Sequence, residues 1–353
     1  LRPLPRADVH VDALYGSGLN RAPEAAAAAL IEALNASGGP VLALDVPSGL
    51  NADTGSCPGA AIRAAVTVSF IAAKRGLYTG QAADYVGELE LDGLALPADL
   101  GLAQPADAYL LQARALPPRA RSAHKGHNGH VLAIGGEHGT AGAIRLCGEA
   151  ALRGGAGLVS VATRMDNVPS LNTARPELMA HGIEGPQALA PLLERASVLA
   201  VGPGLGQGAW GHALWLSALD ARQPLVLDAD GLNLLAREPR RFERPAVLTP
   251  HPGEAARLLG STTSAIEADR YAAARELAAR YGAVVVLKGA GSLVADPDGR
   301  IDVCPWGNPG MATGGMGDLL TGVIAAMLGQ GLPAFEAAGL GVGLHARAGD
   351  RAA

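Results

Sequence analysis

Short apolar runs recur along this chain, each closed by a turn of small residues, and alanine-rich stretches with helical spacing lie between them. That alternation constrains the fold more than any other feature. Strands buried on both faces read as unbroken apolar runs, and parallel strands need helical crossovers to connect them. The pattern predicts an α/β fold of βα units around a parallel sheet. Expected strands are Val9–Leu14, Val41–Leu44, Ala65–Phe70, His130–Ile134, Leu158–Ala162, Val198–Val201, Leu225–Leu227, Ala246–Leu248 and Val284–Leu287. Expected helices include Pro23–Asn35, Ala141–Arg153, Ala209–Ala221, Ser264–Tyr281 and Gly315–Leu328. Leu293–Ala295 and Ile301–Val303 flank Asp296-Pro297-Asp298-Gly299, a hairpin signal.

A length of 353 residues, 49% of them hydrophobic, allows two domains with sizeable cores. Leu94–His124, with several prolines and the basic residues Arg114, Arg119 and Arg121, reads as the connector, which divides the chain into 1–115 and 116–353. A net charge of -5 and only 3% aromatic residues argue against a nucleic-acid surface. No apolar run approaches the length of a membrane span. The three cysteines, Cys57, Cys147 and Cys304, lie far apart, so a reducing cytoplasm is the expected location. Leu1–Asp8 shows no secretion signal, and a chain that begins at Leu1 reads as a fragment.

The strongest chemical signal is Asn308-Pro309-Gly310-Met311-Ala312-Thr313-Gly314-Gly315-Met316-Gly317-Asp318, followed by the apolar run Leu319–Leu328. Glycines at 314, 315 and 317 let the backbone aim several N–H groups at one point, and the helix start behind them adds its positive end. Such a turn suits a phosphate. Asp318, in the first helical turn, either takes a proton from a hydroxyl attacking phosphorus or merely caps the helix.

Other turns follow strand ends. Gly202, Gly204 and Gly206 allow a ligand close to the backbone. Asp228 and Asp230 either steer Mg²⁺ through water or cap a helix starting near Leu232. His251 is locked between Pro250 and Pro252 and so presented to a ligand, and Glu254 is either a water-mediated metal ligand or a helix-start acid. Lys288 ends an apolar run, and the small residues Gly289, Ala290, Gly291 and Ser292 after it leave room for a nucleotide. Among 28 basic residues only Lys74, Lys125 and Lys288 are lysine, all in glycine-containing turns, and Lys288 is the one best explained by a ligand. Residues 135–143 open a helix at a strand end without the spacing of a dinucleotide fold. Near the chain start, Asp12, Asp45 and Ser48 offer hard oxygens to a cation, or else make Asx turns and caps; Asp45 is also a candidate acid or base.

Together these motifs resemble a known family. KGHNGHVLAIGG (125–136), VGPGLG (201–206), LDADGLN (227–233), LTPHPGE (248–254), LKGAGS (287–292) and NPGMATGGMGD (308–318) occur in the order of the ADP-dependent NAD(P)H-hydrate dehydratases. The resemblance covers Gly129–Asp350 and implies a ribokinase-like three-layer α/β/α domain. DALYGSGLNR (12–21), LALDVPSGLNADTG (42–55) and VTVSFIAAKRGLYTGQAADYVGELEL (66–91) resemble the later part of the NAD(P)H-hydrate epimerase domain. That implies a partial Rossmann-like α/β domain ahead of the dehydratase, as in bacterial bifunctional repair enzymes.

The resemblance implies a substrate, NADH or NADPH hydrated at C6, and a co-substrate, ADP. Asp318 would deprotonate the C6 hydroxyl as it attacks the β-phosphate, giving AMP and a phosphorylated hydrate that then eliminates phosphate. It places AMP against Lys288, Gly289, Ala290, Gly291, Ser292 and Gly317. It places the hydrate against Ala143, Gly204 or Gly206, His251 and Asp318, with Mg²⁺ bridging the phosphates. In the epimerase part it implies substrate contacts from Gly16, Ser17, Gly18, Leu19, Asn20, Arg21 and Asp45, and potassium held by Asp12 and Ser48. A homo-oligomer is expected. The family's earlier Asn-Asn-Gly-Gly-Asp-Gly loop is absent from the sequence, so epimerase activity is doubtful here, a half-sheet with an unpaired edge is expected, and the sequence reads as truncated. A vitamin-alcohol kinase of the same fold and a nucleotide-binding module without turnover are the alternatives.

Overall fold

A computed structural model describes residues 4–5, 7–97, 106–116 and 118–353. The chain forms two compact units. One comprises Leu1–Tyr109 with Ser264–Ala272 and Gly289–Gly291; the other comprises Leu110–Thr263, Ala273–Lys288 and Ser292–Ala353. The parts of the expected connector at 98–105 and 117 lie outside the described residues.

The first unit carries a parallel sheet of β1 (His10–Asp12), β2 (Val41–Leu44), β3 (Val66–Phe70) and β4 (Glu88–Asp92), in that order, with α1 (Ala25–Asn35) between β1 and β2. Ile31 and Leu34 of α1 pack with Val41 and Ile62, burying one side of the sheet. On the other side Leu42, Leu44, Val66, Val68 and Phe70 are half-buried, and Val11 is exposed. Among the described residues β1 is the sheet's edge, paired with β2 alone. The strand expected over Val9–Leu14 stops at Asp12, because that side chain turns back to bind Ser48 and the Leu14 N–H.

The second sheet begins with β5 (Tyr109–Leu110), whose two residues fall either side of the division in sequence. Its remaining strands are β6 (His130–Ile134), β7 (Leu158–Thr163), β8 (Met179–Gly182), β9 (Val198–Val201), β10 (Leu225–Leu227), β11 (Ala246–Leu248), β12 (Val284–Leu287), β13 (Leu293–Ala295) and β14 (Ile301–Val303). They run in the order β5-β14-β13-β12-β11-β10-β9-β6-β7-β8, parallel from β12 to β8, with β13 antiparallel to both β12 and β14. The helices are α2 (Ala141–Arg153), α3 (Val168–Ala174), α4 (Pro186–Arg195), α5 (Ala209–Asp220), α6 (Ala229–Arg237), α7 (Pro252–Leu259), α8 (Thr263–Ala268), α9 (Arg270–Tyr281), α10 (Met316–Gly329) and α11 (Ala334–Ala352). Val131, Ala133, Val159, Val161, Val198 and Ala200 form one core with Ile144, Cys147, Ile324 and Val342 of α2, α10 and α11. The alternate residues Leu132, Ile134, Leu199, Val201, Leu225 and Leu227 are buried as well, so helices cover both faces.

The helix expected over Ser264–Tyr281 is two helices, α8 and α9. Asp269 interrupts it: its carboxylate accepts the Ala272 N–H (2.9 Å) and so starts a new helix. The helix expected near Leu232 begins three residues earlier, as α6.

Candidate functional site

The parallel strands β6, β9, β10, β11 and β12 bring their carboxyl-end turns together, the usual place for a ligand in an open α/β sheet. In the first of these turns, Thr140 and Ala143 open α2, and the Thr140 hydroxyl donates to the Gly204 carbonyl (2.8 Å). The Glu137 N–H donates to the same carbonyl (2.6 Å), so Ala143 and Gly204 are neighbours across two turns. Gly206 is held by its N–H, which donates to Asp230 (2.9 Å). Behind them, a Cβ on Gly202 would lie 1.8 Å from the Asp228 carbonyl oxygen. Only glycine permits that approach, and the approach puts Asp228 at the centre of the site.

Asp228 is 1% exposed. Its carboxylate accepts from Lys288 Nζ (2.8 Å) and from Thr321 Oγ1 (2.9 Å). Burial alone would raise its pKa, but the ammonium and the hydroxyls of Thr249 and Thr321 hold it below the ordinary carboxylate value. Lys288, in turn, is kept above its ordinary value against the effect of burial by Asp228 and by Glu254, whose carboxylate lies 3.8 Å away. The capping reading of Asp228 does not describe its side chain. It makes no capping bond to α6, and among the described residues no cluster of three acidic, His or Cys groups suited to a metal occurs. Asp230 is likewise engaged, by Gly206 and Gln207.

The glycine-rich turn reaches this pair from the other side. Gly315, at φ 94°, starts α10, and a Cβ on Gly317 would sit 3.1 Å from Lys288 Nζ. Asp318 follows in the first turn, half-buried, and among the described residues its carboxylate has no hydrogen-bond donor. Burial and the nearby Asp228 charge raise its pKa to about 6, with Lys288 opposing. A carboxyl with that pKa and no internal partner is suited to proton transfer near neutrality.

His251 caps α7 in a capping box: Nδ1 accepts the Gly253 N–H (3.0 Å), while Glu254 accepts the His251 N–H (2.8 Å). Because Nδ1 accepts, the ring proton belongs on Nε2, and burial with the neighbouring Lys288 and Arg257 charges lowers the imidazole pKa, against the opposing Asp228 charge. Glu254 is therefore the helix-start acid of the two readings, with its own pKa raised by burial.

The stretch expected to take a nucleotide divides between the units. Lys288 and Ser292 belong to the second, Gly289–Gly291 to the first. There the Thr79 hydroxyl donates to the Gly291 carbonyl (2.8 Å), the Gly80 N–H to the Ala290 carbonyl (3.0 Å), and the Arg270 guanidinium backs Gly289.

In the first unit a cleft of about 430 Å³ is lined by Leu14, Tyr15, Gly16, Gly18, Leu19, Asn20 and Arg21, most of the stretch that the sequence singled out; Ser17 is not among the lining residues. Asp45 stands in the left-handed region (φ 70°), a strained position for a non-glycine residue, and Gly16 lies beside its carboxylate. Lys74 Nζ (2.5 Å) and the Phe70 N–H (3.2 Å) both donate to it. Asp12 and Ser48, each 1% exposed, face one another: Asp12 accepts the Ser48 N–H and O–H, both at 2.7 Å, and the Tyr15 carbonyl lies 3.3 Å from the same hydroxyl.

Sequence reading missed the partners that fix these groups. Thr321 lies outside every motif, Thr140 and Thr249 lie within the quoted stretches without being singled out, and the pairing of Asp228 becomes visible only with Lys288 beside it.

The sequence profile described as NAD(P)H-hydrate dehydratase matches residues 131–353, and that of the YjeF-related protein N-terminus matches residues 2–76. The bifunctional NAD(P)H-hydrate repair enzyme of Coxiella burnetii is 50% identical over 99% of this chain, which spans 72% of that relative. The enzyme of the same description from Escherichia coli is 49% identical over 97% of the chain, spanning 67% of the relative. Among solved structures, a ribokinase-like superfamily protein of Enterococcus faecalis is 33% identical with a TM-score of 0.62, covering 67% of this chain and 83% of that one. An ADP/ATP-dependent NAD(P)H-hydrate dehydratase of Bacillus subtilis, co-crystallised with ATP and Mg²⁺, is 32% identical with a TM-score of 0.60, covering 66% and 83%. No helix among the described residues is long and apolar enough to cross a membrane. With a ribokinase-like fold behind its glycine turns, the chain belongs to the NAD(P)H-hydrate dehydratase family and shares the two-part organisation of the bifunctional repair enzymes.

Proposed function

We propose that residues 116–353 catalyse ADP-dependent dehydration of the C6 hydrate of NADH or NADPH, releasing NAD(P)H, AMP and phosphate. Asp318 takes the proton of the C6 hydroxyl as that oxygen bonds to the β-phosphorus of ADP and AMP departs. The phosphorylated hydrate then expels phosphate from C6, a proton leaves the neighbouring ring carbon, and the dihydropyridine is restored. Phosphate is a far better leaving group than hydroxide, which is what the nucleotide supplies to the reaction. Lys288, Gly289, Ala290, Gly291, Ser292 and Gly317 hold the nucleotide; Ala143, Gly204, Gly206, His251 and Asp318 hold the hydrate.

One observation carries this reading: the half-buried Asp318 carboxyl, without a donor among the described residues and with a pKa of about 6, stands beside the α10 amides and the Lys288 ammonium. Asp228 and Asp230 are bound by protein donors, so among the described residues no ready carboxylate cage for Mg²⁺ exists, and no step here runs through the ion. In residues 1–115, Gly16, Ser17, Gly18, Leu19, Asn20, Arg21 and Asp45 would meet the epimerase substrate. Asp12 and Ser48 would hold potassium; their oxygens lie together with the Tyr15 carbonyl, hydrogen-bonded to one another.

The test is to incubate the chain with hydrated NADH and ADP and follow return of the reduced-nicotinamide absorbance together with AMP. Matched recovery of NADH and AMP supports the proposal. Phosphorylation of a vitamin alcohol such as hydroxyethylthiazole, with no NADH recovered, contradicts it.

A further inference from the structure

Asp228 has no part in the steps above, yet its carboxylate joins three elements of the site. It lies at the carboxyl end of β10, takes the Lys288 ammonium that follows β12, and takes the hydroxyl of Thr321 on α10. Thr321 lies one helical turn after Asp318 and four residues after Gly317, on the same side of the helix. At 1% exposure Asp228 is sealed from any ligand, so whatever it contributes passes through the groups it holds. We propose that Asp228 is a positioning residue: it fixes the Lys288 ammonium at the Gly317 turn and, through Thr321, sets the first turn of α10 in register with it. One buried acid thereby aligns the group that grips the nucleotide with the group that removes the proton. The inference rests on the reading of Lys288 as a nucleotide-binding residue.

The test measures steady-state kinetics and calorimetric ADP binding on the full chain for Lys288→Met, Asp228→Asn, their double variant and Thr321→Val. Lys288→Met is expected to weaken ADP about tenfold or more, the scale of one lost charge-assisted contact. Asp228→Asn weakens ADP by a similar factor, and the double variant is no weaker than Lys288→Met alone, because the two effects share one route. The double variant removes both charges of the pair, so it reports even where Asp228→Asn, which leaves Lys288 without its nearest carboxylate, does not fold. Thr321→Val keeps the pair and is expected to lower kcat more than it raises KM for ADP, with kcat referred to the concentration of ADP-binding sites counted by calorimetry, so that unfolded protein does not enter the comparison. Two outcomes overturn the proposal: effects that multiply in the double variant, or a folded Asp228→Asn protein that binds ADP like the wild type. If the wild type binds ADP but restores no NADH, the functional reading falls while the binding series still decides this one. If the wild type binds no ADP, both fall.

Discussion

Each unit places a lysine–aspartate pair at the carboxyl end of a parallel sheet, and the two pairs differ in what surrounds the acid. In the first unit Lys74 meets Asp45 with both side chains about equally open, 19% and 22% exposed. In the second, Lys288 is 19% exposed but the Asp228 side chain is only 2% exposed. Asp45 remains beside a cleft, its backbone strained into the left-handed region, and a ligand can reach it. Asp228 is closed off, and a third group, Asp318, is left with no internal donor among the described residues. Sealing the acid makes the pair internal structure, with the chemistry proposed above for the neighbouring Asp318. Leaving it open keeps the acid itself at the ligand.

The largest effect expected from breaking this contrast is on turnover. Asp318→Asn should cut kcat by about 10²-fold or more, the usual scale for a lost general base, while calorimetry finds ADP binding largely intact. Near-normal turnover would remove Asp318 from its role. Next comes stability: Asp228→Ala strands a lysine in a closed site and should cost about 3–5 kcal/mol in denaturant unfolding of the chain. A loss below about 1 kcal/mol would mean that the pair is not closed in solution. The pH profile sharpens the same point. A base works in its ionised form, so kcat/KM should climb with pH and level off above the Asp318 pKa of about 6. A flat profile through that region would assign the proton to another group. The smallest effect belongs to the open pair: Lys74→Met should cost about 1 kcal/mol or less, read from the same unfolding curves.

Much of this was legible in the sequence, and the exceptions have physical causes. β2, β6, β9, β10, β11 and β12 begin and end as expected, and the near-continuous apolar runs of β6 and β9 to β12 follow from their being covered on both faces. α11 was not legible. Its glycines at 339, 341 and 343 weaken any helix by propensity, but Gly341 lets α10 approach so closely that a Cβ there would lie 2.6 Å from Ile324, and tertiary packing decides the outcome. β8, Met179-Ala180-His181-Gly182, lacks the branched residues that mark a strand and forms by pairing with β7. In the site, the glycine-rich turn and Asp318 stood out because local sequence specifies a glycine turn and a helix start. The Asp228 pairings did not, since its partners lie 60 and 93 residues away and nothing local announces them.

The most direct test of the central assignment is a crystal structure of the chain with ADP bound. The account predicts the β-phosphate on the amide groups of residues 315–317, with Lys288 Nζ against a phosphate oxygen and the Asp318 carboxyl opening toward the space beside the phosphorus. A nucleotide seated away from that bend, or an Asp318 side chain turned into the core, would contradict it.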